Sequence, residues 1–314
     1  MSKEGMHDLD VVLTDVAAEI EANAVRIEEA ADAKEPGLKP GPFGMAVTML
    51  DGQQLCSGAA ATPFPLQSIA KVFALETVLR AIGDDIFERV GREPSGDPFN
   101  SIVDLERTAG IPRNPFVNAG ALVTVDALID AKCARDAVIN LVALELGQPV
   151  ALDDEVLESE EQAGDLNRAM LSFMKHHGNL RSEPGAVMSA YVRQCAISLN
   201  ASALANAGAF LARTRLAGGK ADRERALRMR KLLALMMTCG HYDGSGDFAL
   251  RVGLPAKSGV GGGILAVMPE VASIAVWSPN LDQHGNSILG VRALEMLVHR
   301  TGWSVFGPPG ARDT

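Results

Sequence analysis

The sequence predicts an α+β fold in which one antiparallel sheet, drawn from the first and last parts of the chain, carries an inserted block of helices. Three observations predict it. A hairpin signature lies near the start, Ala-, Leu- and Met-rich segments of helical period fill the middle, and short β-branched runs bounded by Gly and Pro return near the end. Separate small sheets would each leave a face and edges exposed, so the two groups of strands are expected to share one sheet. A functional cleft is then expected in the groove between a sheet-containing lobe and a helical lobe.

Leu9, Val12, Val16, Ile20 and Ile27 recur at helical spacing and predict an amphipathic first helix. The run KEPGLKPGP from Lys34 to Pro42 stops it. FGMAVTML, Asp51-Gly52 and QQLCSG then read as strand, turn and strand. Val72, Leu75, Val78, Leu79 and Ile82 restore the helical period from Ser68 to Ile82, with Gly83 as the stop. GREPSGDPFNS and GIPRNPFVNAG read as two ordered loops anchored by Phe99 and Phe116. Helices are expected over Ala119–Lys132, Ala134–Leu146, Asp154–His177, Tyr191–Leu216 and Arg223–Thr238. ALRVGLPAKSG, GGILAVMP and ASIAVWSP are expected strands, and Ser287–Thr301 a closing helix.

The 314 residues are 47% apolar and 22% charged, which excludes a disordered, collagen-like or coiled-coil chain. A net charge of -10 opposes nucleic-acid binding by long-range attraction. MSKEGMHDLD lacks the apolar core of a secretory signal, and no window reaches about 18 uninterrupted apolar residues, so a cytoplasmic protein with no membrane partner is expected. Cys56, Cys133, Cys195 and Cys239 form no CxxC and read as reduced thiols. The six histidines include no HExxH and no zinc spacing with a cysteine, so no metal is expected.

The chemistry centres on Gln67-Ser68-Ile69-Ala70-Lys71. Three residues apart, Ser68 and Lys71 share one helix face. A lysine desolvated in an apolar cleft can act as the base that makes a serine nucleophilic. Alone, the spacing is a weak signal, because Ser68 then reads as an N-cap and Lys71 as a solvated surface residue. Lys257-Ser258-Gly259, on an expected strand about 190 residues later, supplies context, because serine β-lactamases and penicillin-binding proteins pair SxxK with K-[ST]-G in this order. A cation on that strand is expected to hold a substrate carboxylate, and the N-H groups of Val260 and Ser68 to receive an oxyanion. GVGGG at 259 to 263 breaks the GxGxxG frame at Ile264, and no GxSxG elbow occurs.

PFPLQSIAK, GREPSGDPFNS, PRNPFVNAGA, SE with GDLNRAM, TCGHYDGSG and LPAKSGVGGGILAVMP, in that order, resemble the signatures of the glutaminase family of serine-dependent amidohydrolases. The resemblance spans most of the chain. It implies a single domain over residues 1–314 with a serine β-lactamase-like fold, the sheet-containing lobe at 1–67 and 241–314 and the mainly helical lobe at 68–240. It also implies hydrolysis of L-glutamine to L-glutamate and ammonia without cofactor or metal, in a homodimer or homotetramer. Ser68 would be the acylated nucleophile, Lys71 its activating partner and Tyr242 a proton-transfer residue. The implied substrate contacts are Ser68, Asn118, Glu160, Asn167, Tyr191, Tyr242 and the Val260 backbone. An acid such as Glu160 suits the ammonium of glutamine, and Asn118 and Asn167 suit its polar groups.

One departure stands out. The family's tyrosine in a VADYIP-like segment has no counterpart in NAVRIEEAADAKEPGLKPGPFG. The chain has two tyrosines, and both fall on implied site positions. Two alternatives stay open on the residues: a β-lactamase-like hydrolase of another amide, suggested by SxxK with KSG, and a non-catalytic glutamine-binding sensor, suggested by the altered N-terminal segment.

Overall fold

Side chains alternate between the two faces of a strand, and here both faces are covered, which is why the central strands are mostly apolar, with only Thr48 and Ser273 as buried polar side chains. The computed structural model describes residues 3–96, 101–215 and 218–307, with the side chains of 3, 4 and 160–163 outside the description. In chain order the elements are α1 (Lys3–Glu29), β1 (Gly44–Met49), β2 (Gln54–Gly58), β3 (Phe64–Pro65), α2 (Ala70–Ile82), α3 (Val103–Arg107), α4 (Asn118–Asp130) and α5 (Ala137–Leu146). They continue with β4 (Ala151–Leu152), α6 (Asp154–Ala163), α7 (Asp165–His176), α8 (Pro184–Cys195), β5 (Ile197–Leu199), α9 (Ala201–Ala207) and α10 (Lys220–Cys239). The chain closes with α11 (Ser245–Arg251), β6 (Ala256–Ser258), β7 (Gly263–Met268), β8 (Ala272–Trp277) and α12 (Ile288–Thr301).

Strands from both ends of the chain form one five-stranded sheet in the order β2-β1-β8-β7-β6, antiparallel throughout. Met45, Val47 and Met49 of β1, Ile264, Ala266 and Met268 of β7, and Ala272, Ile274 and Val276 of β8 pack with α1 and α12. The intervening Ala46, Leu265, Val267, Ala275 and Trp277 join the larger core of the helical block. A one-residue slip in register would exchange these two sets, so the helices on both faces pin the pairing.

A second, three-stranded sheet, β3-β5-β4, joins Phe64–Pro65 to two short strands of the helical part. The expected Tyr191–Leu216 helix is therefore corrected: α8 starts earlier, at Pro184, ends at Cys195, and gives way to β5 before α9. Three residues are too few to display a period, and helix-forming neighbours hide the strand. The expected Asp154–His177 helix also divides, at Gly164, into α6 and α7. The start of ALRVGLPAKSG is the end of α11 rather than strand; only Ala256–Ser258 pairs with β7, after a left-handed turn at Gly253. Phe99 lies outside the described residues. No helix among the described residues is long and apolar enough to cross a membrane.

Candidate active site

Ser68 lies in a 3-10 turn, Gln67–Ile69, that runs directly into α2. The preceding Gln67 is left-handed, with φ of 48°. That conformation costs a residue bearing a Cβ on the order of 1 kcal/mol, so neighbouring structure must impose it. Part of the constraint is β5: Phe64 pairs with Leu199, and the Leu66 N–H donates to the Ile197 carbonyl at 2.8 Å. The short strand absent from the sequence reading is what anchors the segment entering the serine turn.

The glycines after β6 bring a second backbone against this turn. A Cβ on Gly259 would stand 2.5 Å from the Leu66 carbonyl oxygen, one on Gly261 2.3 Å from that of Pro65, and one on Gly263 2.4 Å from the Phe64 ring. Only glycine permits that approach, and it sets Val260 beside the Ser68 turn. Trp277 secures the loop by donating its indole N–H to the Gly261 carbonyl at 2.9 Å while stacking on Phe64.

Lys71, in the first turn of α2, is 1% exposed. Its Nζ donates to the Asn118 Oδ1 at 2.7 Å and to the Phe116 carbonyl at 3.1 Å. Asn118 Nδ2 in turn donates to Asn167 Oδ1 at 3.2 Å, and the Tyr191 hydroxyl donates to Asn118 Oδ1 at 3.4 Å. Lys71, Asn118, Asn167 and Tyr191 thus form one hydrogen-bonded cluster. The alternative roles of Asn118 as an N-cap and Lys71 as a solvated residue fall away: Val117 occupies the N-cap position, and Lys71 is buried.

Asn114, which the sequence reading passed over, shapes this corner. Its Oδ1 accepts the N–H groups of Phe116 and Val117 at 2.9 and 3.1 Å, and its Nδ2 donates to the Glu93 carbonyl. That turn aims the Phe116 carbonyl at Lys71. Gly120 packs so closely behind it that a Cβ would stand 1.9 Å from the Asn114 carbonyl oxygen. The Asn-Pro pair at 114 and 115 is the available sequence signal, since it marks turn initiation.

Tyr242 is also held in the left-handed region, at φ of 54°, in the short turn before α11. Burial pushes its phenol up to about 12, against hydrogen bonding with Ser68 and Ser258 that pulls it down. Its hydroxyl therefore stays protonated at working pH, beside Ser68. A cavity of about 450 Å³ opens on one side of Tyr242 and Phe116, and a groove of about 1020 Å³ passes Val260 and the 31–40 segment.

Lys257 requires a correction. The expected role of holding a substrate carboxylate is ruled out by its burial: it is 0% exposed, donates to the Gly240 and Ser258 carbonyls at 3.0 and 2.6 Å, and lies 4.3 Å from the Tyr242 ring centroid. Burial lowers its pKa well below the usual lysine value, the charge of Lys71 acts the same way, and Cys239 opposes them. It is a support beneath Tyr242. Glu160 lies outside the residues whose side chains are described. Among the described residues no group of three or more His, Cys, Asp or Glu side chains is arranged to hold a metal ion. All four cysteines are free thiols.

The model of the family described as Glutaminase matches residues 36–306. A Rhizobium rhizogenes glutaminase is 47% identical over 310 residues, covering 96% of this chain and all of that protein. A Bacillus subtilis probable glutaminase of known crystal structure superposes with a TM-score of 0.81 at 28% identity, covering 93% of this chain and 97% of that one. Another, at TM-score 0.76 and 26% identity with 94% and 98% covered, is a covalent complex of a Bacillus subtilis glutaminase with 5-oxo-L-norleucine, formed by reaction with 6-diazo-5-oxo-L-norleucine. The shared architecture is the predicted α+β, serine β-lactamase-like fold. With the match running from residue 36 to residue 306 and this arrangement of Ser68 and Lys71 inside it, the chain belongs to the glutaminase family.

Proposed function

We propose that the protein hydrolyses L-glutamine to L-glutamate and ammonia through an acyl-enzyme on Ser68. The observation that carries the reading is the buried Lys71 amine, one helical turn from Ser68 and bonded to Asn118. Ser68 Oγ attacks the side-chain carboxamide and its proton passes to Lys71; the carbonyl oxygen takes up negative charge opposite the N–H groups of Ser68 and Val260. The C–N bond then breaks as the nitrogen gains a proton from the Lys71 and Tyr242 pair, releasing ammonia. Water attacks the resulting ester, its proton passes to Lys71, and Ser68 Oγ leaves with a proton restored.

Asn118, Asn167, Tyr191 and Glu160 bind the substrate's polar ends in this reading. The covalent adduct of the Bacillus subtilis relative with a glutamine-like diazoketone supports a nucleophilic mechanism. The same reading takes residues 1–67 and 241–314 as one lobe and 68–240 as the other, and a cytoplasmic homodimer or homotetramer as the working form. Ammonia release from L-glutamine by the purified protein tests it, with Ser68→Ala as the inactive control and nitrocefin as the competing substrate.

A further inference from the structure

Tyr242 is left-handed without being glycine, so something must hold it there. The side chain below it, Lys257, is one support. The other is a segment the mechanism does not use: the loop 280–287 between β8 and α12. Asp282 knots this loop. Its Oδ1 accepts the backbone N–H groups of His284 and Asn286 at 3.0 and 2.9 Å, its N–H donates to the Asn286 carbonyl at 2.9 Å, and its carbonyl accepts the Gly285 N–H at 2.9 Å.

The knot forces its tip, Gly285, to φ of +91° and buries it against the site. A Cβ there would stand 3.4 Å from Val260 Cγ1 and 3.7 Å from Tyr242 Cε2. A Cβ on Gly244, in the Tyr242 turn itself, would stand 3.6 Å from Asn286 Nδ2 and 3.7 Å from His284 Cδ2. The loop therefore lies within one methyl's reach of both the residue proposed to move protons and the residue proposed to hold the oxyanion.

Its outer side is fastened to the segment that leaves α1. Asn280 Nδ2 donates to Glu28 Oε2 at 2.7 Å and to the Lys39 carbonyl at 3.0 Å. The Lys34 N–H donates to the Leu281 carbonyl, and the Gln283 N–H to that of Asp32, both at 2.9 Å. Ser287, at the other end, caps α12 and donates to the Ser278 carbonyl. A loop knotted within, fastened outside and rooted at both ends is a rigid buttress.

We propose that Asp282 is a positioning residue for catalysis, acting through the loop 280–287 to hold Tyr242 and the Val260 backbone in register with Ser68. This rests on the function proposed above, because it assigns Tyr242 a part in proton transfer. Small misplacements of such groups cost up to about a hundredfold in rate while leaving ground-state binding little changed.

The experiment uses the full chain labelled with 3-fluorotyrosine, whose two tyrosines give two fluorine resonances assigned with Tyr191→Phe. In Asp282→Ala the Tyr242 resonance shifts or broadens, the Tyr191 resonance stays, and kcat falls about tenfold or more while KM stays within about twofold. Asp282→Asn keeps an acceptor for the two N–H groups and restores both readouts. A Tyr242 resonance unmoved in folded Asp282→Ala overturns the proposal, as does a loss confined to KM or to thermal stability. If Asp282→Ala does not fold, Asn280→Ala, which cuts the outer fastening, is read on the same resonance: broadening supports the buttress and no change overturns it. Should the wild type turn over no glutamine, the functional reading falls, and the fluorine shift still decides whether Asp282 holds Tyr242.

Discussion

Lys71 Nζ and Asn118 Oδ1 meet at 2.7 Å, joining the first turn of α2 to the first residue of α4. The amide oxygen orients the amine without supplying a charge. A carboxylate at the same place would favour the ammonium form, and the base would then be available only at higher pH. Asn118→Asp is expected to move the acidic limb of the kcat/KM profile upward and to lower activity at neutral pH below that of Asn118→Ala. A pH–rate series on the two variants checks the direction, and an unmoved limb would remove Lys71 from the role of base.

Gly120→Ala tests the corner that aims the Phe116 carbonyl. A methyl group cannot stand 1.9 Å from the Asn114 oxygen, so α4 or the Asn114 turn must shift. Overpacking of this kind costs about 3 kcal/mol. Chemical denaturation should show a loss of that order, together with reduced turnover because Asn118 moves with the helix start. A variant as stable and as active as the wild type would mean the corner is softer than it looks.

His241 concerns stability more than catalysis. Burial pushes its imidazole down to about 3, the Lys257 charge acts in the same direction, and the neighbouring Asn286 side chain opposes them. The unfolded chain, near 6.5, binds the proton more readily, so the stability His241 contributes is present above about 6.5 and is lost as pH falls toward 3. The slope approaches 1.4 kcal/mol per pH unit. In His241→Leu the stability lost between pH 7 and pH 5 should shrink by about 2 kcal/mol, measured by denaturant unfolding at both values.

Much of the fold was legible because both sheet faces are covered: mostly apolar runs, with Gly and Pro at their ends, mark β1, β7 and β8. The strands β3, β4 and β5 span two or three residues and leave no period, so the sheet that steadies the serine turn was invisible. In the site, SxxK and the glycines of GVGGG carried local signals of shared face and close approach. The direction of Lys257 did not. A strand buried on both faces gives no polar alternation from which to tell a side chain that meets substrate from one that lies beneath Tyr242. Asn114 and Asp282 act through backbone N–H groups two to four residues on; Asn-Pro marks the first as a turn, but neither sequence tells what the turn is aimed at. The left-handed Gln67 and Tyr242 carry no sequence mark, since neither is glycine.

Ser68 as the nucleophile is tested directly by one measurement. The protein is incubated with 6-diazo-5-oxo-L-norleucine, the adduct is weighed by intact-mass spectrometry, and the modified peptide is mapped. The expected result is one 5-oxo-L-norleucine group per chain on Ser68, loss of glutamine hydrolysis in step with labelling, and no adduct on Ser68→Ala. An adduct on another residue, or Ser68→Ala that still releases ammonia from glutamine, would contradict it.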